Sequence, residues 1–366
     1  MRILIVSDAG APQVNGVVRT LTALRRELET QGHQVALIAP DSFPNLACPT
    51  YPEIRLAVTP FRRLARLIEA SRPCAIHIAT EGPLGWAARR YCLKAGLPFT
   101  TAYHTRFPEY LRARFAVPLS VSYSVIRRFH APSSAVMVAT PSIQADLEAR
   151  GFTRIRRWSR GVDTNLFRPR DAAEIAALAP HLAGLEGPLF LYVGRIAVEK
   201  NIRAFLDADL PGTKLVVGDG PERARLARDY PHILFTGAQQ GEALAAHYAA
   251  ASVMVFPSRT DTFGLVLLEA LASGTPVAAY PVPGPIDVIG SSPVGVLDDD
   301  LARAGRAALG IDRDACRAHA LSFSWAASAG QFLDNLAFFA TWPWQKDEET
   351  ALDGLTDSPI GRGLLG

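Results

Sequence analysis

The 366-residue sequence has little cysteine, no long uncharged apolar run and no dinucleotide-binding glycine fingerprint. Its four cysteines show neither the spacing of a metal site nor that of a disulfide framework. They are Cys48, Cys74, Cys92 and Cys316. This pattern predicts a protein of the reducing cytoplasm. The apolar stretch at residues 1–8 is too short for a signal peptide and leads directly into a strand–helix pattern, so no signal peptide is expected.

Three further absences narrow the class of protein. No uncharged apolar run reaches the roughly 20 residues that a membrane-spanning helix needs. The missing G-x-G-x-x-G motif argues against an ordinary NAD-dependent enzyme. Nothing resembles a DNA-reading helix or a base-stacking platform, so a nucleic-acid partner is not expected. The whole sequence is 49% hydrophobic and 20% charged, which is the composition of a globular protein. Its length allows two domains.

The net charge of +3 hides an asymmetry between the two halves. Residues 1–170 carry 24 Arg and Lys against 11 Asp and Glu, a balance of +13, whereas residues 171–366 carry 14 and 24, a balance of −10. A basic half is typical of a protein that meets an anionic partner such as a membrane surface or an acidic substrate. Ordinary solvation by arginine explains the excess equally well.

Short apolar runs alternate with amphipathic stretches along the first 170 residues. We predict strands at residues 2–8, 35–40, 75–80, 98–104 and 135–140, with helices between them. Such alternation is typical of a doubly wound parallel sheet, whose ligands bind at the carboxyl ends of the strands. Glu81 and His104 both follow strands at that edge. A lone histidine there is either a structural group or a catalyst, and its position leaves both open.

Asn15-Gly16 stands directly before a predicted helix at residues 17–30. Backbone amides at such a helix start can meet a phosphate or a sugar. Taken alone, however, the dipeptide favours a plain turn.

The strand–helix pattern restarts in the second half of the chain. We expect an N-terminal domain at 1–170, a linker at 171–187, a second domain at 188–325, a C-terminal helix at 326–345 and a disordered tail at 346–366. The predicted fold class is therefore α/β, with two doubly wound Rossmann-like domains facing each other across a cleft and a helix after them. A cleft between two such domains is a natural place for a substrate.

The stretch at residues 258–276 combines a strand exit, two acids and a helix start. Asp261 lies in the loop after a buried strand, and Glu269 lies in the helix predicted at 263–272. The amides of Phe263, Gly264 and Leu265 open that helix and suit an anionic or hydroxyl-rich ligand. Taken alone, the two acids also fit a surface aspartate and a solvated helical glutamate.

Two cations accompany these acids in the second half. Arg195 follows a strand, and Lys200 precedes the next helix, with Gly194 and Gly218 at neighbouring strand exits. Two fixed cations near helix amides suit a diphosphate and can neutralise a departing one without a metal. The acidic run 298–300 follows a short strand, and we interpret it as a solvated acidic turn rather than a metal site.

Basic amphipathic stretches recur in the first half, at residues 61–69 and 110–129. Arginines alternate there with leucine, phenylalanine and tyrosine. Such surfaces can lie on anionic lipid. A core-facing apolar stripe with a solvated basic face is the alternative.

Taken together, these motifs resemble the retaining glycosyltransferases of family 4, which have the two-Rossmann B-type fold. The resemblance covers about residues 1–340. Its main element is Asp261-x7-Glu269 followed by 270–276. The segments 8–19, 160–163, 193–201 and 218–221 carry the remainder. It implies hexose transfer from a nucleotide diphosphate sugar, UDP-glucose or GDP-mannose in type, to an acceptor with retained anomeric configuration and no further cofactor or metal.

The resemblance also implies roles for individual residues. Arg195 and Lys200 would hold the diphosphate, Glu269 the ribose and Asp261 the donor-sugar hydroxyls. Backbone amides at 263–265 would touch sugar or phosphate, and Gly16 would approach the diphosphate from the other domain. His104 matches the family's histidine near the reacting sugar. The family's usual first acid is glutamate. Aspartate at 261 is a variant found in the branch that resembles mannosyltransferases and sulfoquinovosyl- and glucosyl-diacylglycerol synthases.

For the mechanism we favour front-face attack, because no carboxylate stands out in the sequence as a nucleophile. The basic half and the lipid-synthesising relatives suggest a peripheral enzyme on the inner face of the cell membrane, with a lipid such as diacylglycerol as acceptor. A polysaccharide or soluble acceptor, a sugar-nucleotide 2-epimerase and a non-catalytic nucleotide-sugar-binding module are the alternatives. The sequence names neither the base, the sugar, the linkage nor the oligomeric state.

Overall fold

The computed structural model describes residues 1–10, 13, 15–48, 51–58 and 61–339. They form two six-stranded parallel sheets and one two-stranded antiparallel hairpin, with helices packed against both large sheets. Each large sheet belongs to one domain, as the alternating sequence pattern predicts.

The first sheet has the strand order β2-β1-β5-β6-β7-β8. Its strands are β1 (Arg2–Val6), β2 (Gln34–Ile38), β5 (Ala75–Ile78), β6 (Thr100–Tyr103), β7 (Ala135–Val138) and β8 (Ile155–Arg157); the hairpin is β3 (Asn45–Cys48) and β4 (Tyr51–Ala57). The helices are α1 (Gly16–Thr30), α2 (Phe61–Ser71), α3 (Pro83–Ala95), α4 (Phe107–Phe115), α5 (Leu119–His130) and α6 (Pro141–Ala149), with a 3-10 turn at Pro40–Ser42.

The second sheet has the strand order β11-β10-β9-β12-β13-β14. Its strands are β9 (Leu189–Val193), β10 (Thr213–Val217), β11 (Leu234–Gly237), β12 (Val253–Phe256), β13 (Val277–Ala279) and β14 (Gly295–Leu297). The helices are α7 (Ala172–Leu178), α8 (Ile202–Asp207), α9 (Arg223–Asp229), α10 (Gly241–Ala250), α11 (Leu265–Ala272), α12 (Pro285–Val288), α13 (Leu301–Ala308), α14 (Arg313–Leu321) and α15 (Trp325–Asn335), with 3-10 turns at Pro180–Leu182 and Val198–Lys200.

Strand β9 shows why each sheet is covered on both faces. Leu189, Leu191 and Val193 pack into one apolar cluster, whereas Phe190 and Tyr192 pack into another. Successive side chains of a strand point to opposite faces, so two clusters mean two helical layers. A strand with both faces buried reads as a continuous apolar run, which is why these strands were predictable.

The chain crosses between the domains twice, and the two crossings lie side by side. The amide of Val162 donates to the carbonyl of Phe323 at 3.1 Å. A Cβ on Gly161 would lie 2.4 Å from the backbone nitrogen of Trp325, so only glycine permits this approach. Helix α15 then returns to the first domain, where Phe332 packs in the same cluster as Leu24 of α1.

Two expected boundaries differ from the structure. Residues 171–187 are not a bare linker, because α7 begins there with a capping box between Asp171 and Glu174, and Leu182 packs into the core of the second domain. The helix expected at 326–345 ends at Asn335. The chain then extends along the first sheet, and the amide of Phe339 donates to the carbonyl of Cys74 at 3.0 Å. The tail predicted at 346–366 lies outside the described residues.

Candidate functional site

The carboxyl edges of the two sheets meet around His104. This residue directly follows β6, and its carbonyl accepts a 2.7 Å hydrogen bond from the hydroxyl of Thr262 in the second domain. The carbonyl of Thr262 in turn accepts from the hydroxyl of Thr140 at 3.3 Å. The loop that carries Asp261 is therefore attached to the first domain at the position of His104.

Lys200 and Asp261, predicted separately, form an ion pair of 2.5 Å. The loops that carry them are joined by two further bonds: Asn201 donates to the carbonyl of Pro257, and Thr260 donates to that of Glu199, both at 3.1 Å. Burial alone would lower the pKa of Lys200, but the carboxylate of Asp261 and nearby Tyr110 raise it overall. The ammonium therefore stays charged in all ordinary buffers.

The second oxygen of Asp261 has a different environment. Its Oδ2 is buried and has no hydrogen-bond partner within the described part of the chain. The Nε2 atom of His104 is in the same situation. Buried polar atoms without partners cost free energy, so both atoms call for a ligand or water between the domains.

Glu269 is buried in α11 and holds two partners that the sequence did not suggest. Its Oε2 accepts a 2.9 Å hydrogen bond from the hydroxyl of Tyr248, and its Oε1 lies 2.5 Å from Nη2 of Arg19. Arg19 belongs to α1 of the first domain, so this ion pair spans the two domains. Arg19 stands in the segment 8–19 that carries the family resemblance, but only the folded chain shows that it faces Glu269.

His104 is held by a residue that sequence analysis quoted without assigning a role. Nη2 of Arg160 lies 3.1 Å from Nδ1 of His104, and the edge of the Trp158 ring packs against the imidazole. Burial, followed by the positive charge of Arg160, lowers the pKa of His104 well below its usual value. The imidazole is therefore neutral at physiological pH.

The predicted glycines Gly16, Gly218 and Gly264 have different surroundings. A Cβ on Gly218 would lie 1.9 Å from the carbonyl oxygen of Gly194, so the exits of β9 and β10 leave no room for a side chain. Gly16 is exposed at the first turn of α1, where a Cβ would lie 4.0 Å from Leu265 of α11. Gly264 adopts a left-handed φ of +83° at the start of α11. Gly16 and Gly264 thus open two helices that face each other.

Other predicted residues contribute less clearly to this arrangement. The Phe263 side chain is buried in the core of the second domain, which leaves only its backbone for a ligand. The carbonyl of Arg195 accepts from Tyr192 at 2.7 Å, and a diphosphate contact of its guanidinium stays a prediction. The carboxylate of Glu81 lies 3.2 Å from Nε2 of His130 within the first domain, and a substrate contact of Glu81 stays a prediction.

The acidic run 298–300 forms an exposed turn that caps α13. Asp300 accepts from the amides of Ala302 and Arg303 at 3.0 and 3.1 Å. The hydrogen bond from Arg303 lowers the pKa of Asp298 to about 2. Among the described residues, no three His, Cys, Asp or Glu side chains come together as a metal site would require.

Within the part of the chain that the structure describes, no helix is long and apolar enough to cross a bilayer.

This arrangement can recognise a polyhydroxylated anion. Lys200 supplies a permanent positive charge, and Asp261 Oδ2 and His104 Nε2 are buried polar atoms that can each form a further hydrogen bond. A hydroxyl both donates and accepts, so it can satisfy a carboxylate and a ring nitrogen together. The amides at the starts of α1 and α11 add partial positive charge on either side.

Each half of the chain matches a protein-family model. The model described as Glycosyltransferase Family 4 matches residues 14–166, and the model described as Glycosyl transferases group 1 matches residues 187–309. These ranges fall on the first and second sheets.

Curated relatives agree with this assignment. The chain is 30% identical over 319 residues to a GDP-mannose-dependent alpha-mannosyltransferase of Mycobacterium tuberculosis (strain CDC 1551 / Oshkosh), covering 81% of this chain and 83% of the relative. It is also 30% identical over 350 residues to an alpha-monoglucosyldiacylglycerol synthase of Streptococcus pneumoniae, covering 83% and 77%.

Solved structures show the same fold. A sucrose-phosphate synthase from Thermosynechococcus elongatus superposes with a TM-score of 0.75 at 23% identity, covering 91% of this chain and 98% of that one. The Anabaena protein HepE in complex with UDP gives a TM-score of 0.68 at 15% identity, covering 91% and 99%.

Proposed function

Since the chain belongs to glycosyltransferase family 4 and is therefore a hexosyltransferase, we propose that it moves a hexose from a nucleoside diphosphate sugar to a hydroxyl of a membrane lipid such as diacylglycerol. The observation that carries this proposal is that Asp261 Oδ2 and His104 Nε2 are both buried without a partner among the described residues. Their segments are joined by the bond from Thr262 to His104, and Asp261 is paired with Lys200. A sugar hydroxyl supplies the donor and the acceptor that these atoms lack.

The diphosphate of the donor lies, in this proposal, between Lys200, Arg195 and the helix starts at Gly16 and Gly264. Lys200, held by Asp261, and the two helix starts are in place before the substrate binds, so they can stabilise charge on the departing diphosphate without reorganising. We propose that they make a metal ion unnecessary. The proposal predicts that transfer persists in excess EDTA.

The ribose lies, in this proposal, beside Glu269. Tyr248 and Arg19 each engage one oxygen of its carboxylate, which orients the remaining lone pairs. A carboxylate can accept about four hydrogen bonds, so ribose hydroxyls can be added without displacing either partner.

The reaction retains the anomeric configuration, in this proposal, by attack from the face that the diphosphate leaves. The departing phosphate oxygen accepts the proton of the acceptor hydroxyl as the new glycosidic bond forms. His104 lies near the reacting sugar and hydrogen-bonds one of its hydroxyls. Proton NMR of the fresh product gives the anomeric configuration, and an inverted product would exclude this mechanism.

The lipid acceptor is supported by a basic groove on the first domain and by the printed names of relatives. Arg62, Arg63 and Arg66 of α2 are exposed and line a groove of about 470 Å³ together with Phe43 and Val58. Cationic and apolar groups side by side suit an anionic lipid surface. A relative is named for synthesis of monoglucosyldiacylglycerol, and others for mannosyl transfer to a phosphatidylinositol dimannoside.

The donor and acceptor are identified by two linked assays. A thermal-shift panel of UDP, GDP and ADP sugars selects the donor, and mass spectrometry then measures the product with diacylglycerol vesicles or soluble glycans. A lipid that gains one hexose supports the proposal. Hydrolysis or epimerisation of the donor without an acceptor, or transfer only to a soluble glycan, would contradict it.

Binding to the membrane is tested by vesicle co-sedimentation at low salt. Wild-type protein is expected to sediment with anionic vesicles, and the variant with Arg62, Arg63 and Arg66 changed to Gln is expected to stay in solution. The matched control removes three exposed arginines from the second domain. These are Arg203, Arg225 and Arg228. Equal loss of binding in both variants would mean that total charge, not the α2 groove, governs attachment.

A further inference from the structure

Arg160 is a buried arginine in the first crossing between the domains, with 3% of its surface exposed. Its Nη1 donates to the carbonyls of Trp158 and Ser159 at 2.6 and 3.1 Å, and its guanidinium lies 4.2 Å from the centre of the Trp158 ring. Among the described residues, no carboxylate forms an ion pair with it. Its remaining side-chain contact is Nδ1 of His104, 3.1 Å from Nη2.

The direction of that last hydrogen bond follows from chemistry. A guanidinium has donors and no acceptor, so Nδ1 of His104 must accept. A neutral imidazole then carries its single proton on Nε2. The imidazole is neutral because burial, and then the positive charge of Arg160, lower the pKa of His104 well below its usual value.

We propose that Arg160 is a positioning residue that fixes His104 as the Nε2–H tautomer, so that His104 donates a hydrogen bond to a donor-sugar hydroxyl and does not act as a base. This inference rests on the proposed function and deepens it. Nε2 is buried without a partner, and Thr262 holds the backbone of His104 next to Asp261. A hydroxyl between the two groups would accept from His104 and donate to Asp261.

The opposite tautomer would not serve such a hydroxyl. An unprotonated Nε2 and the free oxygen of Asp261 would both seek the hydroxyl's one proton, and the hydroxyl oxygen would lack a donor. Two backbone-carbonyl contacts would be enough for Arg160 to support the crossing segment. Its contact with Nδ1 of His104 therefore gives it a second role, that of fixing the tautomer.

Long-range proton–nitrogen NMR of histidine-labelled, ligand-free protein tests the tautomer directly. The chain has eight histidines, and the His104→Gln variant identifies the signals that belong to position 104. The wild type is expected to show a protonated Nε2 and an unprotonated Nδ1 that persist below the pKa of an ordinary histidine. A protonated Nδ1, or a mixture of tautomers, would overturn the proposal. This measurement requires neither a substrate nor an arginine variant.

The variants Arg160→Met and Arg317→Met then separate positioning from structural support. Arg317 also donates to backbone carbonyls near the crossing, those of Phe167, Ala272 and Thr164, but does not contact His104. Arg160→Met is expected to mix the His104 tautomers and lower kcat by about 10- to 100-fold with little change in nucleotide affinity. Arg317→Met is expected to leave the tautomer unchanged. Unaltered His104 signals in Arg160→Met would refute the assignment.

The role of Arg160 on the tautomer and the role of His104 in hexose transfer are tested separately. Normal hexose transfer by His104→Gln, together with the expected wild-type tautomer, would remove His104 from the proposed reaction and leave the role of Arg160 on the imidazole intact.

Discussion

Lys200 and Asp261 share a short ion pair, so a change at either residue alters the charge that meets the donor. Lys200→Ala removes the cation and leaves the Asp261 carboxylate without its partner. We expect about a 10- to 100-fold loss in affinity for both the nucleoside diphosphate and its sugar conjugate, since charge-assisted hydrogen bonds contribute roughly 1.5–3 kcal/mol. Isothermal titration calorimetry measures the affinity for each of the two ligands.

Lys214→Ala is the matched control for that change. The ammonium of Lys214 donates to the carbonyl of Leu206 at 2.6 Å in the same domain and contacts neither Asp261 nor Glu269. Equal nucleotide affinities in wild type and Lys200→Ala would contradict the role of Lys200.

Glu269→Ala tests the second acid. The change leaves the buried hydroxyl of Tyr248 without its acceptor, so we expect about 1–3 kcal/mol of lost stability besides weaker nucleotide binding. Urea unfolding measures the first effect. The double variant with Tyr248→Phe is expected to regain part of the loss, because no unsatisfied hydroxyl remains. Strictly additive losses would mean that the two residues do not interact.

The sequence predicted candidate residues but not their partners in the fold. Asp261 and His104 were proposed because strand ends and loops are visible in the apolar pattern. Arg19, Tyr248 and Arg160 were not assigned, because each meets its partner only through contacts distant in sequence. Lys200 and Asp261 were given separate roles for the same reason.

At the scale of elements, the central strands were predictable, whereas the β3–β4 hairpin, strand β8 and helix α7 were not predicted. Both faces of each central strand are buried, so the strands read as continuous apolar runs. The sequence predicts a linker at α7 although Asp171-x-x-Glu174 is a capping box, because its alanines and the prolines on either side of it obscure the apolar positions Ile175 and Leu178. The end of α15 at Asn335 has no comparable sequence signal.

The capping box of α7 gives an element-scale prediction. Asp171→Ala removes the side chain that accepts from the amide of Glu174 at 2.8 Å, and we expect a loss of about 1 kcal/mol in the free energy of unfolding. Glu186→Ala, an exposed acid of the same segment, is the control and should change little. Equal unfolding free energies for both variants would show that α7 does not depend on its cap.

At the scale of the whole molecule, polar contacts hold the two domains together across the cleft. Arg19 pairs with Glu269, Thr262 bonds to His104, and the amide and hydroxyl of Ser142 bond to Asp287. Hydrogen bonds and an ion pair of this kind can be exchanged for bonds to water when two domains move relative to each other. The sequence predicted the facing domains but not these contacts.

Loosening two of these contacts should open the cleft. We expect the double variant Arg19→Ala with Ser142→Ala to have a larger radius of gyration in small-angle X-ray scattering, and donor nucleotide to reverse part of the increase. Arg25→Ala is the control, because Arg25 pairs with Glu29 inside α1 itself. Identical scattering from the double variant and the wild type would show that these contacts do not set the domain arrangement.

In the proposed complex, Asp261 hydrogen-bonds the sugar of the donor and Lys200 binds its diphosphate. The most direct measurement is calorimetric titration of Asp261→Asn with the nucleotide sugar that the thermal-shift panel selects and with the same nucleoside diphosphate lacking the sugar. The account predicts about tenfold weaker binding of the sugar conjugate and equal or tighter binding of the diphosphate, because the freed Lys200 loses a competing anion. Equal weakening of both ligands, or of neither, would contradict it.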